Sequence, residues 1–85
     1  MQISIYVQKR VEKDDITNIT GFNDPTQAKQ ILTDLKEKYN TNGCIINYTD
    51  TNLNCKINII QLKGDLSNEI MSYFLERGIT VSRQS

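Results

Sequence analysis

Apolar residues in this chain switch repeatedly between two spacings, and that switching limits the folds open to it. Ile3, Ile5 and Val7 alternate with Ser4, Tyr6 and Gln8, the period of two that marks a strand with one buried face. From Ala28 the spacing changes. Ala28, Ile31, Leu32, Leu35 and Tyr39 recur every three or four positions, which gathers them on one side of a helix. Extended patterns return over residues 44–48 and 55–62, and a second helical pattern covers 66–77. Leu66, Ile70, Tyr73 and Phe74 form its buried side, with Met71 and Leu75 beside them. A Thr- and Ile-rich strand over 16–20 and the β-branched Ile79-Thr80-Val81 complete the set. The order β-β-α-β-β-α-β predicts an α+β fold. It is a two-layer sandwich, with two helices packed on one face of a mixed, mostly antiparallel sheet of four or five strands. Residues 1–85 suffice for one such domain and contain neither repeats nor linkers.

Local punctuation supports this division. Asn23-Asp24-Pro25 starts the first helix, with Asp24 capping free N–H groups and Pro25 at the first helical position. Asn42-Gly43 is expected to stop that helix, Gly21 to end the second strand, and Gly78 to end the second helix. The charged segment 9–15 loops between the first two strands, and the polar run 49–54 turns between the next two. In IIQLKGDLSNEI, residues 59–70, Gly64-Asp65 carries a strand directly into a helix. Asp65 is expected to accept N–H groups of the first turn and to stay ionised, a cap worth about 1 kcal/mol. Gly64 is expected to supply the tight turn or to admit a close approach to the backbone. Catalysis by Asp65 would need a raised pKa and a partner, and its own charge fills the place a phosphate would take.

Ten basic and ten acidic residues cancel, so affinity for a polyanion has to come from local clustering. No apolar run approaches the roughly 20 residues of a spanning helix. The opening MQISIYVQKR lacks the layout of a signal peptide. A monomer in a reducing cytoplasm, with no membrane contact, is the expectation. Cys44 and Cys55 then read as buried free thiols, the alternative being a pair facing each other across a hairpin. The absence of histidine and of a second thiol pair disfavours zinc. No glycine-rich phosphate loop is present, and neither metal nor cofactor is expected. No catalytic residue is assigned, because a Ser or Cys nucleophile lacks a histidine base and Asp14-Asp15 sit in a solvated, charged loop.

Binding is the better-supported class. Lys29, Thr33, Lys36 and Asn40 fall within a narrow arc of the first helix, beside its apolar stripe and running toward Asn42-Gly43. Lys63 extends this flank if the fourth strand ends nearby. Such ammonium groups pair with phosphates through counterion release; the alternative is a solvated helix face. Lys38 lies on the opposite flank, spaced for an i,i+4 pair with Asp34. Tyr6 and Tyr48 read as core or interface residues, since the aromatic-rich strands of common RNA-binding sheets are missing.

Four runs carry a resemblance: IYVQKR (5–10), TNITGF (17–22), KEKYNTNGC (36–44) and IQLKGD (60–65). In this order and near this spacing they resemble the translation initiation factor 1 family, the small factor that guards start-codon choice. The resemblance covers nearly the whole chain. It implies binding to ribosomal RNA of the small subunit near the decoding site, an open subunit during scanning, and departure on start-codon pairing. Messenger RNA, initiator tRNA and other initiation factors would be neighbours. Carried over by position, the family's contacts become Lys9, Arg10 and Lys13 at the first hairpin, Lys29 and Lys36 on the helix, and Asn42-Gly43 at the corner. Gln61, Gly64 and Asp65 complete the pattern in mainly structural roles, and Asn40 and Lys63 join the candidates from the residue pattern above. This chain departs from the family at the hairpin, where Glu12, Asp14 and Asp15 offset the basic residues, and at Leu66-Ser67, where many members carry a basic residue. Two hypotheses follow: a factor that grips ribosomal RNA, and a non-catalytic module of the same fold that binds another initiation factor.

Overall fold

The chain forms β1 (Gln2–Gln8), β2 (Ile16–Phe22), α1 (Pro25–Lys38), β3 (Gly43–Asp50), β4 (Cys55–Lys63), α2 (Ser67–Glu76) and β5 (Thr80–Gln84). The structure, a computed structural model, describes residues 2–22, 24–52 and 55–84, without the side chains of Gln2, Tyr48, Asp50, Cys55, Lys56, Arg83 and Gln84. One sheet runs in the order β3-β4-β2-β1-β5. Its pairings are antiparallel except for β5, which lies parallel to β1. This is the expected α+β sandwich, with five strands.

The period-two pattern sets the layers. Register aligns Ile5 with Ile19, Ile19 with Ile60, and Ile60 with Ile45 in one row across the sheet. Ile5, Ile19 and Ile60 are fully buried. Ala28 and Leu35 from α1 and Ile70, Tyr73 and Phe74 from α2 enter the same core. Burying a side chain of this size stabilises by about 1.5–3 kcal/mol. The rings of Tyr73 and Phe74 meet edge-on at 5.2 Å, and Phe22 lies 6.4 Å from Phe74.

Several local expectations are corrected. Gly21 does not end β2; it sits at φ 114° in a register shift between Ile19 and Phe22, and the bulge turns Phe22 into the core. Nor does α1 run to Asn42-Gly43. It ends at Lys38, Asn40 turns left-handed at φ 49°, and the Thr41 N–H bonds back to the Lys36 carbonyl at 3.2 Å. Leu75 is 61% exposed, because it lies about 140° around α2 from Ile70. Lys38 reaches Glu76 at 3.9 Å instead of Asp34. Asp34 accepts the Tyr73 hydroxyl at 3.0 Å and lies 3.9 Å from the Arg77 guanidinium, so it ties α1 to α2. Burial, and then the Asp34 carboxylate, holds the Tyr73 phenol above its ordinary range and keeps it a donor.

Cys44 is exposed, against the expectation of a buried thiol. It stands opposite Gln61 while Cys55 stands opposite Asp50, so the two lie at opposite ends of the hairpin and no disulfide spans it. The Cys55 side chain lies outside the described residues, as do Asn23 of the helix start and Leu53 and Asn54 of the turn. The Asp24 carboxylate accepts the Thr26 N–H at 2.9 Å, and Pro25 opens α1, as anticipated. Among the described residues, no helix is long and apolar enough to cross a membrane.

Candidate nucleic-acid interface

The Gly64-Asp65 corner is a lock between distant parts of the chain. Gly64 turns at φ 97°, a region that side-chain-bearing residues rarely adopt, and no atom lies within 4 Å of where its Cβ would be. The turn, not a close approach, therefore requires glycine. Its N–H donates to the Asp15 carbonyl at 2.6 Å. Its carbonyl accepts the buried Thr17 hydroxyl at 2.7 Å, and that hydroxyl oxygen accepts the Leu66 N–H at 2.9 Å. Asp65 accepts the Ser67 hydroxyl at 2.9 Å and the Ser67 N–H at 3.3 Å. It caps α2 from one position further out than the N-cap residue, Leu66.

The Ser67 bonds, helped by the Lys9 ammonium 3.6 Å away, hold the Asp65 carboxyl below its ordinary 3.8. A depressed folded-state pKa contributes stability above the ordinary value and loses it as pH falls through the folded one. The thermal midpoint should therefore decline below pH 3.8. Asp65→Asn keeps an acceptor but does not titrate, and its midpoint should decline less over that window in calorimetry. Equal slopes would remove Asp65 from the acid response.

The first hairpin's acids pair with one cation of their own hairpin and one beyond it. Lys9 pairs with Asp15 at 2.9 Å, and Lys63 with Asp14 at 3.2 Å. The hydrogen bond to Asp15 and its charge raise the Lys9 ammonium pKa. Arg10 Nε donates to the Asp14 carbonyl at 3.0 Å, a neutral acceptor that leaves its charge unmatched. Lys13 stands exposed at the tip with no ion pair among the described residues. Lys63 thus does not extend the helix flank as an unmatched cation, because an acid from the other hairpin balances it.

On α1, Lys29 and Lys36 are exposed, and no acid lies within ion-pair distance of either among the described residues. They are seven positions apart, about 10 Å along the axis. Asn40 has left the helix and serves as its stop. The Asn42 carbonyl accepts the Lys63 N–H at 2.9 Å. A Cβ on Gly43 would come 2.6 Å from both the Gln61 carbonyl oxygen and the Leu62 side chain, so this corner is shaped by close packing.

Five candidates do converge. Arg10, Asn42, Gly43, Gln61 and Lys63 line one shallow cleft of about 360 Å³, joined by Ile16, Cys44 and Leu62, none of which the sequence pattern assigned to a binding site. Gln61 donates to Asn18 at 2.8 Å, and Tyr6 lies opposite Asn18, half-buried. Lys29 and Lys36 stand apart from this cleft, on α1. The Tyr48 side chain lies outside the described residues.

Comparisons with known proteins bear on this arrangement. The family model for translation initiation factor SUI1 matches residues 1–80. The chain is 27% identical over 82 residues to eukaryotic translation initiation factor 1 of Mus musculus, which covers 96% of this chain and 68% of that protein. The figures for the Homo sapiens protein of that name are the same. A protein translation factor SUI1 homolog of Salix bakko is 29% identical over 77 residues, covering 91% of this chain and 64% of its own. Since the family match spans almost all of the sandwich, from β1 to the start of β5, the chain belongs to the SUI1 translation initiation factor family.

Proposed function

We propose that the protein acts in translation initiation by binding the small ribosomal subunit near the decoding site, where it influences scanning and start-codon selection. It acts as a cytoplasmic monomer without a catalytic step. The observation that carries this reading is the pair of unmatched ammonium groups, Lys29 and Lys36, on the exposed side of α1. Ribosomal RNA phosphates supply the missing anions, and Arg10 and Lys13 extend the contact from the hairpin. Lys9 and Lys63 contribute less because carboxylates already hold them. That internal matching favours a second reading, in which the fold binds another initiation factor and RNA affinity is weak.

Co-sedimentation with purified small subunits across a salt series separates the two. With two to four phosphates engaged, affinity should fall roughly 10- to 100-fold between about 50 and 200 mM salt. Binding that ignores salt would overturn the RNA reading and leave the protein partner.

A further inference from the structure

β3 stands at one edge of the sheet, with β4 as its only strand neighbour among the described residues. The Lys63 N–H to Asn42 carbonyl bond fixes the phase of that pairing. Residues 42 and 63 are a hydrogen-bonded pair, so by antiparallel alternation the even-numbered residues of β3 bond β4. The backbone N–H and C=O groups of Gly43, Ile45, Asn47 and Thr49 therefore point away from the sheet.

Edges of this kind are ordinarily blunted by shortness, charge, proline or a bulge. β3, GCIINYTD, has no proline or bulge and carries a charge only at its last residue, Asp50, and its register with β4 is unbroken through eight residues. The opposite edge, β5, is five residues long and includes Arg83. Beside β3, on the helix side of the sheet, lies a cleft of about 370 Å³ formed with the start of α1 by Pro25, Thr26, Lys29, Ile45 and Asn47. Lys29 brings to it an ammonium without an acidic partner among the described residues. On the other face of the strand, Ile46 is 41% exposed.

We propose that β3 receives an extended segment of a partner protein as a sixth strand, with acidic and apolar residues alternating along it. Main-chain hydrogen bonds to Gly43, Ile45, Asn47 and Thr49 supply the affinity. Acidic side chains enter the cleft toward Lys29, and apolar ones lie on Ile46. A second copy of this chain is the poorer occupant. Strand-to-strand pairing would bring two Lys29 clefts together on the same face, like charge beside like.

The probe is a fluorescein-labelled seven-residue peptide of alternating valine and glutamate, titrated into the full chain, with a valine–lysine peptide as control. The valine–glutamate peptide should bind saturably and the control at least about tenfold more weakly. In nuclear magnetic resonance, the amides of Ile45 and Asn47 should gain protection from exchange. Asn47→Pro removes an N–H that β4 does not use, so the variant should keep its circular dichroism spectrum and its subunit binding, yet lose about tenfold in peptide affinity. Should that variant misfold, N-methylation of the peptide on alternate residues tests the same bonds: one phase should abolish binding and the other preserve it. No binding at about 1 mM peptide, perturbations away from β3, or indifference to both modifications would overturn the proposal. So would concentration-dependent dimerisation through β3, which assigns the edge to a second copy.

Discussion

Charge reversal of both α1 lysines, Lys29→Glu with Lys36→Glu, should abolish small-subunit binding and leave the domain folded. Neither ammonium is in an ion pair among the described residues, and both side chains are exposed, so the folded state loses little. Exposed substitutions of this kind usually stay within about 0.5 kcal/mol. In the proposed complex with ribosomal RNA, the bound state loses two phosphate contacts and gains two repulsions. A loss of at least roughly 100-fold near physiological salt is expected. Co-sedimentation reads the loss, and a thermal melt confirms the fold. Wild-type affinity in the double variant would remove α1 as the contact surface.

Thr17→Val should be the most damaging substitution for its size. The side chain is fully buried, and valine keeps its shape. What disappears is one hydroxyl that donates to the Gly64 carbonyl and accepts the Leu66 N–H. Both partners are backbone groups at a part-buried corner, and each unmet group costs about 1–3 kcal/mol. Destabilisation of roughly 2–4 kcal/mol is expected from urea unfolding, since some water reaches the corner. In a domain of this size that lowers the thermal midpoint by roughly 10–25 °C. Thr17→Ser keeps the hydroxyl and should recover most of the difference. A valine variant as stable as the parent would show that the corner holds without the bridge.

What the sequence disclosed depends on how far apart the interacting groups lie. The strand and helix periods are local, and they mark Ile5, Leu35 and Phe74 as buried, as the structure has them. Helical spacing alone also put Lys29 and Lys36 on the exposed flank of α1. A glycine that bulges a strand and one that ends it look alike locally, so the role of Gly21 shows only in the partner of Phe22. Asn40 took the stop assigned to Asn42-Gly43 because either asparagine tolerates the left-handed turn. The Thr17 bridge joins positions 47 and 49 residues apart, and no local signal announces it. The ion pairs of Asp14 and Asp15 are hidden from the sequence for the same reason. Their partners include Lys63, on the other hairpin, and without tertiary pairing there is no way to tell a free cation from a balanced one.

The parallel seating of β5 against β1 bears on how the domain is made. β1 is an inner strand only because residues 80–84, the last to be synthesised of those described, close its second side. Gln2–Gln8 is synthesised before Thr80–Gln84, so it keeps one flank open until that strand arrives. Joining positions so far apart costs loop-closure entropy before the contact rewards it, and such non-local pairing slows the folding of a domain this small.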